Sequence, residues 1–130
     1  TTALAPDEIL TEIRLPAMAA GAQCAIEEFA RRHGDFALAA IAAVVTRNAN
    51  GRHGVRLATG GVGPVPQRLR EAEAILEQRG FDEAALEAAA IKAAETVEPM
   101  SDQHASADFR RHITAVLTRR AVAAAARIAA

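Results

Sequence analysis

Hydrophobic and polar residues alternate through the first half of the chain, which is the pattern of half-buried β-strands. Residues 9–15, ILTEIRL, place most of their apolar residues at odd positions and their two charges at even positions, and Pro16 ends the run. They predict a first strand, and residues 24–31 predict a second.

A β-hairpin is predicted for residues 37–47 and 52–61. The first of these segments contains the β-branched residues Ile41, Val44 and Val45 among its alanines, and the second alternates apolar and polar positions. Between them lies NANG at residues 48–51, a turn signal because Asn and Gly tolerate positive φ. An Ala-rich helix over residues 36–45 is the alternative, and the turn and the strand that follows argue against it.

From Pro66 onward the apolar residues recur at helical spacing. They predict helices at residues 66–79, 82–98 and 106–129, with Gly80 ending the first, Asp82 capping the second and Ser106 capping the third. The predicted apolar stripes are Leu69, Ala72 and Leu76; Leu86, Ala90, Ala93 and Val97; and Phe109, Ile113, Val116, Leu117, Ala121, Ala124 and Ile128.

Strands followed by helices predict an α+β fold, a small antiparallel sheet of three to four strands with three helices packed on one face. The strands are expected within residues 8–62. A chain of 130 residues is expected to form one domain, spanning residues 1–130.

Composition excludes several classes of function. The net charge is −1 and charge blocks are short, so we expect no nucleic-acid partner. Apolar runs are too short for a membrane span, and the start of the chain does not resemble a signal peptide. The chain begins without Met, so it is either processed or part of something longer. The single cysteine, Cys24, indicates a small packed residue in a reducing, cytoplasmic compartment.

Candidate chemistry is sparse. The segment GGVGPVP at residues 60–66 suggests a phosphate cradle, but no Lys-Ser/Thr follows and Pro64 and Pro66 lack N–H donors, which favours a structural turn. The histidines are scattered, and the eight-residue spacing of His104 and His112 does not suit a helical metal pair, so no metal site is expected.

Four arginines in the last predicted helix are candidates for anion binding, although a solvated or ion-paired surface is the favoured interpretation. They are Arg110, Arg111, Arg119 and Arg120. No catalytic constellation is evident from the residues alone.

Three segments, in this order and spacing, carry a resemblance to a known family. They are EILTEIRLP near the start, FARRHGDFALAAIAAVV with GGVGPVPQRLREAEAIL in the middle, and PMSDQHASADFRRHITAVLTRRAV near the end. Together they resemble the C-terminal domain of the FAD-binding medium subunit of molybdenum hydroxylases, the carbon monoxide dehydrogenase and xanthine dehydrogenase type flavoproteins.

The resemblance implies a non-catalytic part of an oxidoreductase that completes an FAD pocket. Electrons in that family pass from a molybdopterin large subunit through the [2Fe–2S] clusters of a small subunit to FAD. The implied partners are those two subunits and the FAD-binding N-terminal domain of the same subunit. The family's Gly-rich pyrophosphate loops precede this domain, so FAD is not expected on this chain alone.

The family's GD-aromatic corner, which approaches the flavin ring, corresponds here to Asp35 and Phe36. The resemblance therefore implies that these two residues are cofactor-binding. The structural alternative is that Phe36 is the first core residue of a strand and Asp35 is an acidic residue of the turn. Relatives often have a Lys where Glu27 and Glu28 stand and a Tyr where Phe36 and Phe109 stand.

Two alternatives remain open at this stage. The chain is either a stand-alone interaction or scaffold domain with the same fold and no flavin, or an unrelated small binding protein.

Overall fold

A four-stranded antiparallel sheet and three helices form the structure, a computed structural model that describes residues 2–47 and 53–129. The predicted α+β fold is confirmed. The strands lie in the order β1-β2-β3-β4. The elements are β1 Gln23–Phe29, β2 Ala39–Arg47, β3 His53–Gly60, β4 Gln67–Arg68, α1 Arg70–Arg79, α2 Glu83–Thr96 and α3 Ala107–Ala129.

The predicted hairpin is present as β2 and β3, so the alternative helix over residues 36–45 is wrong. Ala43 pairs with Leu57 and Val45 pairs with Val55, and all four side chains are buried. The turn predicted at residues 48–51 lies outside the described residues.

The core lies between one face of the sheet and the helices. Helix α3 packs on β1 and β2, α1 packs on β3, and α2 packs on α1 and α3. Alanines line much of this interface, and their small side chains let the helices approach closely. The helical residues among the buried core are Ala72, Leu76, Ala85, Leu86, Ala89, Ala90, Ala93, Leu117, Ala121, Val122 and Ala125. The side chain of Ile128 lies outside the described part.

The predicted caps of the second and third helices are confirmed. Asp82 Oδ1 accepts a hydrogen bond from the Ala85 N–H at 2.7 Å, and Ser106 Oγ accepts one from the Phe109 N–H at 3.2 Å. Each side chain satisfies an N–H that has no partner within its helix.

The strand predicted at residues 9–15 is wrong. The segment pairs with no described strand, and Ile9, Ile13 and Leu15 are 83%, 75% and 85% exposed. The alternating pattern requires an apolar surface beside it, and the described part of this chain does not supply one. The second predicted strand ends at Phe29, so Arg31 lies in the bend that follows.

The first helix begins at Arg70 and not at residue 66, because residues 67–68 pair with β3 as the short strand β4. Beyond β4, carboxylates of α1 accept hydrogen bonds from the edge of β3. Glu73 Oε1 accepts from the Leu57 N–H at 2.7 Å, and Glu77 Oε1 accepts from the Val55 N–H at 2.9 Å. These bonds satisfy backbone donors that an open edge would leave unpaired.

Candidate functional site

The corner between β1 and β2, residues 30–38, is a closed loop. The Leu38 N–H donates to the Phe29 carbonyl at 2.8 Å, which joins its two ends, and the Asp35 N–H donates to the Arg32 carbonyl at 3.1 Å inside it. Gly34 has φ of 81°, a conformation that side chains resist, which accounts for glycine in HGD.

Phe36 projects from this corner into solvent. Its side chain is 95% exposed, and the first buried residue after it is Leu38. The alternative that makes Phe36 the first core residue of the strand is therefore wrong. Asp35 is held by its own loop, because Oδ1 accepts from the Phe36 N–H at 2.9 Å and Oδ2 lies 3.5 Å from Arg31 Nη2.

Arg110 in the first turn of α3 is buried and ion-paired with Asp102, which is the ion-paired alternative of the favoured interpretation. Its Nη1 donates to the carbonyls of Leu38 at 2.7 Å and Gly61 at 3.1 Å, and its Nη2 donates to Asp102 Oδ2 at 2.7 Å. It therefore ties the corner, the end of β3 and the loop before α3 to one another.

Asp102 is fixed in turn by the loop that precedes α3. Its Oδ1 accepts from the N–H groups of His104 at 2.8 Å and Ala105 at 3.0 Å. These backbone hydrogen bonds, together with the Arg110 guanidinium, hold the pKa of the Asp102 carboxyl below its ordinary value. The carboxylate is thus the ionised partner that the buried arginine needs.

These parts enclose a cavity of about 250 Å³. Its lining residues are Arg31, Asp35, Phe36, Ala37, Leu38, Asp102, His104 and Arg110. The Nε of Arg110 is buried and has no hydrogen-bond partner. An exposed aromatic ring, charged groups of both signs and an unsatisfied donor suit a planar ligand with polar edges.

The corner and the loop before α3 were not brought together by sequence reasoning. Asp35 and Phe36 were identified, whereas Arg110 was considered only for anion binding, His104 only for metal binding, and Asp102 was missed. One signal was present: the buried stripe of α3 runs backwards from Ala121 through Leu117 and Thr114, and the next position on that face is Arg110.

The Gly-rich segment at residues 60–66 forms bends that lead into β4, in keeping with the structural turn that was favoured. Gly61 has φ of 78°, and a Cβ there would lie 2.7 Å from the carbonyl oxygen of Ala37. Glycine is required at this position because the backbone of the corner lies so close to it. No phosphate is needed to explain it.

The other three candidate arginines, Arg111, Arg119 and Arg120, are also ion-paired, as the favoured interpretation held. Arg119 contacts Glu83 at 2.7 Å and Glu87 at 3.2 Å across a groove of about 630 Å³ between α2 and α3. Arg111 contacts Asp108 at 3.2 Å. An anion site at these positions would have to displace carboxylates that are already present.

The remaining candidates add no chemistry. Cys24 is exposed, which corrects the expectation that it is packed: it lies on the outward face of the edge strand β1. In residues 2–47 and 53–129, no group of three or more His, Cys, Asp or Glu side chains is arranged to hold a metal ion. No helix of the described chain has the length and apolarity to span a bilayer.

Comparison with known proteins identifies the fold family. Residues 24–125 match the family described as the CO dehydrogenase flavoprotein C-terminal domain. The chain belongs to this family. The matched region contains the sheet apart from its first residue, Gln23, together with the corner and the loop that carries Asp102.

Two curated relatives are similar over almost the whole chain. The 6-hydroxypseudooxynicotine dehydrogenase complex subunit alpha of Paenarthrobacter nicotinovorans is 31% identical, with 95% of this chain and 42% of the relative covered. The carbon monoxide dehydrogenase medium chain of Hydrogenophaga pseudoflava is 33% identical, with 95% and 43% covered. The chain therefore spans less than half the length of these relatives.

A solved structure shows the same fold. The crystal structure of Cu,Mo-CO dehydrogenase in a cyanide-inactivated form superposes with a TM-score of 0.88 at 33% identity, covering 98% of this chain and 45% of that chain. The CO dehydrogenase flavoprotein family, expected from the sequence, is confirmed.

Proposed function

We propose that this chain is the C-terminal domain of the FAD-binding medium subunit of a molybdenum hydroxylase, and that its corner presents Phe36 and Asp35 to the isoalloxazine ring. One observation carries the proposal: Phe36 is 95% exposed at the rim of a polar cavity, on a loop closed by backbone hydrogen bonds. A large aromatic side chain held in water by a fixed loop is typical of a binding contact.

The residues present fit one end of FAD. The exposed ring of Phe36 suits the face of a flat heterocycle, and the unpartnered Nε of Arg110 and the carboxylate of Asp35 suit its polar edge. They do not fit the pyrophosphate, because the glycine-rich bend packs on this domain's own backbone at Ala37. When bound, FAD supplies the group that takes up and passes on electrons.

Asp35 has an electrostatic role in this proposal. Its carboxylate is fixed by the Phe36 N–H and by Arg31, so its negative charge keeps one position. A fixed negative charge beside a flavin disfavours the gain of electrons by the ring. Asp35 therefore lowers the reduction potential of the flavin relative to a neutral side chain at the same place.

The proposed partners are the FAD-binding N-terminal domain of the same subunit, the molybdopterin large subunit and the [2Fe–2S] small subunit. Support comes from the relatives, which are named as a medium chain and as a subunit of a dehydrogenase complex. Their names carry different substrates, so the shared domain does not assign a substrate to this chain. A cytoplasmic location stays a prediction.

The test uses the full-length medium subunit with Phe36→Ala and Asp35→Asn, and Ile91→Ala as a control. Ile91 is half-exposed on α2 and lines neither cavity. We expect Phe36→Ala to weaken FAD retention and Asp35→Asn to raise the flavin potential in a redox titration. Thermal stability of the apoprotein should be unchanged in both. Wild-type affinity and potential in both variants would show that the corner is only structural.

A further inference from the structure

His104 lies in the wall of the cavity beside Phe36, on the loop that precedes α3. Its backbone is fixed, because its N–H donates to Asp102 Oδ1 at 2.8 Å. Its side chain is exposed and exchanges protons with water, and none of the ion pairs within residues 2–47 and 53–129 includes it. Histidine is the type of side chain that changes its charge between about pH 5 and 8.

The other charged groups in the cavity wall form two ion pairs. Arg31 Nη2 lies 3.5 Å from Asp35 Oδ2, and Arg110 Nη2 donates to Asp102 Oδ2 at 2.7 Å. The rest of the wall is uncharged and consists of Phe36, Ala37 and Leu38. With both pairs ionised, the net charge of the wall depends on His104. The wall is neutral when the imidazole is neutral and carries one positive charge when the imidazole is protonated.

No carboxylate of the wall is available to cancel the charge of His104. Asp102 faces His104 from the same loop, but its Oδ2 already accepts from the buried Arg110 of α3. Asp35, the other carboxylate in the wall, lies beside Arg31. The pKa of the Asp102 carboxyl is lowered first by two backbone hydrogen bonds and in smaller part by the charges of Arg110 and His104, so the charge of the imidazolium acts on this wall.

We propose that His104 makes the reduction potential of the flavin depend on pH, by placing a positive charge beside the isoalloxazine ring in acid and removing it in base. The inference rests on the proposed function, in which the ring lies at this cavity against Phe36. Reduction with two electrons and one proton from solvent leaves one negative charge on the ring, and a positive charge beside it favours that state. His104 keeps its own proton in this step and acts only through its charge.

The effect of His104 is opposite to that of Asp35, whose fixed negative charge lowers the potential. In acid the two charges offset each other, and in base only the charge of Asp35 remains. The flavin therefore accepts electrons from the [2Fe–2S] subunit of the proposed assembly more readily when His104 is protonated.

Redox titrations of the flavin in the full-length medium subunit, at about pH 5 and about pH 8, test the inference. Wild type is compared with His104→Gln, which carries no charge, and with His104→Arg, which is charged at both pH values. We expect the wild-type potential to exceed that of His104→Gln by about 30 mV in acid, a tenfold change in the equilibrium of a two-electron couple, and to equal it in base. The potential of His104→Arg should stay above that of His104→Gln at both pH values.

Two other histidines provide matched controls. His112 lines the groove between α2 and α3, and His33 belongs to the corner but not to the cavity wall. We expect His112→Gln and His33→Gln to follow wild type at both pH values. Three results would each overturn the inference: equal potentials for wild type and His104→Gln in acid, a difference between them that is the same in acid and base, or loss of the effect in His33→Gln.

Asp35→Asn distinguishes a failure of this inference from a failure of the proposed function. If Asp35→Asn changes the flavin potential and the His104 variants do not, the flavin lies at the corner and only the role of His104 is wrong. If the variants at Asp35, Phe36 and His104 all keep the wild-type potential and FAD retention, both proposals are wrong.

Discussion

Arg110 joins three segments that are far apart in sequence. Its guanidinium donates to backbone carbonyls at the end of the corner and after β3, and to the Asp102 carboxylate. A planar group with five donors suits such a junction better than the single ammonium of lysine. The position of the corner that carries Phe36 therefore depends on one side chain.

Replacing this arginine should destabilise the fold. Arg110→Met leaves the carbonyls of Leu38 and Gly61 without their donor, and a buried acceptor without a partner costs about 1–3 kcal/mol. We expect the free energy of unfolding to fall by about 2–5 kcal/mol in urea titrations. Arg111→Met is the control, because Arg111 contacts only the exposed Asp108 and should change stability by less than about 0.5 kcal/mol. Equal effects of the two substitutions would mean that the guanidinium contacts are not formed.

The ionisation of Glu73 makes the stability of the fold depend on pH. Burial raises the pKa of its carboxyl, but hydrogen bonds from Arg68 and from the Leu57 N–H lower it more, so the folded-state pKa lies below its ordinary value. Because the pKa is lower in the folded state, the ionised carboxylate stabilises the fold at pH values above the unfolded pKa of about 4.3. This stabilisation is lost as the pH falls through the folded pKa.

Glu73→Gln should therefore reduce stability at pH 7 and reduce the dependence on pH below about 4.3. Urea titrations from pH 7 down to pH 3 should show the wild-type advantage shrinking with acid. Glu71→Gln provides the control, because Glu71 is exposed and lies 3.7 Å from Lys92 at the surface. Parallel stability curves for wild type and Glu73→Gln would contradict the ionised pair.

Sequence reasoning succeeded where a residue acts locally and failed where it acts at a distance. Asp82 and Ser106 were identified because a helix cap depends on a few neighbours in the chain. Glu73 and Arg110 resemble any charged helix residue, and their burial follows from strands that reach them only in the folded molecule. Tertiary contacts of this kind leave little trace in a single sequence.

Helix α3 is the element that holds the sheet in place, because it packs on both β1 and β2 and on α2. Leu117 is 3% exposed, whereas Ile113 is only partly buried. Leu117→Ala should cost about 2–5 kcal/mol of unfolding free energy, through lost transfer energy and the cavity left behind.

Ile113→Ala should cost less than Leu117→Ala, because part of the isoleucine side chain already contacts water. Both values come from chemical denaturation of the 130-residue chain. A larger loss for Ile113→Ala would show that the helix is rotated relative to the structure described here.

Among the strands, the hairpin was predicted because its two halves are adjacent and the turn lies between them. Residues 9–15 have the same alternation but no partner within the described chain, so the pattern predicted a strand that the described residues do not form. The two-residue β4 was missed because so short a pairing leaves no periodic signal.

At the scale of the whole molecule, the resemblance identified the family, and the fold confirmed its architecture. The cavity beside Phe36 was not predicted, because its walls come from residues 31–38, 102–104 and Arg110, which only the packing of α3 on the sheet brings together. In the proposed function, this cavity supplies one part of the flavin site and the FAD-binding N-terminal domain supplies the rest.

The 130-residue chain alone should therefore not retain FAD. Its corner contributes one aromatic ring and polar edge groups, but its glycine-rich segment packs on the domain's own backbone at Ala37 and contains Pro64 and Pro66, which have no N–H to donate to a pyrophosphate. The experiment is dialysis of the purified chain with excess FAD, followed by absorbance at visible wavelengths, where the flavin absorbs and the polypeptide does not. The full-length medium subunit serves as the positive control. A yellow 130-residue chain with one FAD per molecule would contradict the division of the site between two parts of the polypeptide, whereas a colourless chain beside a yellow full-length protein is the outcome that the structure predicts.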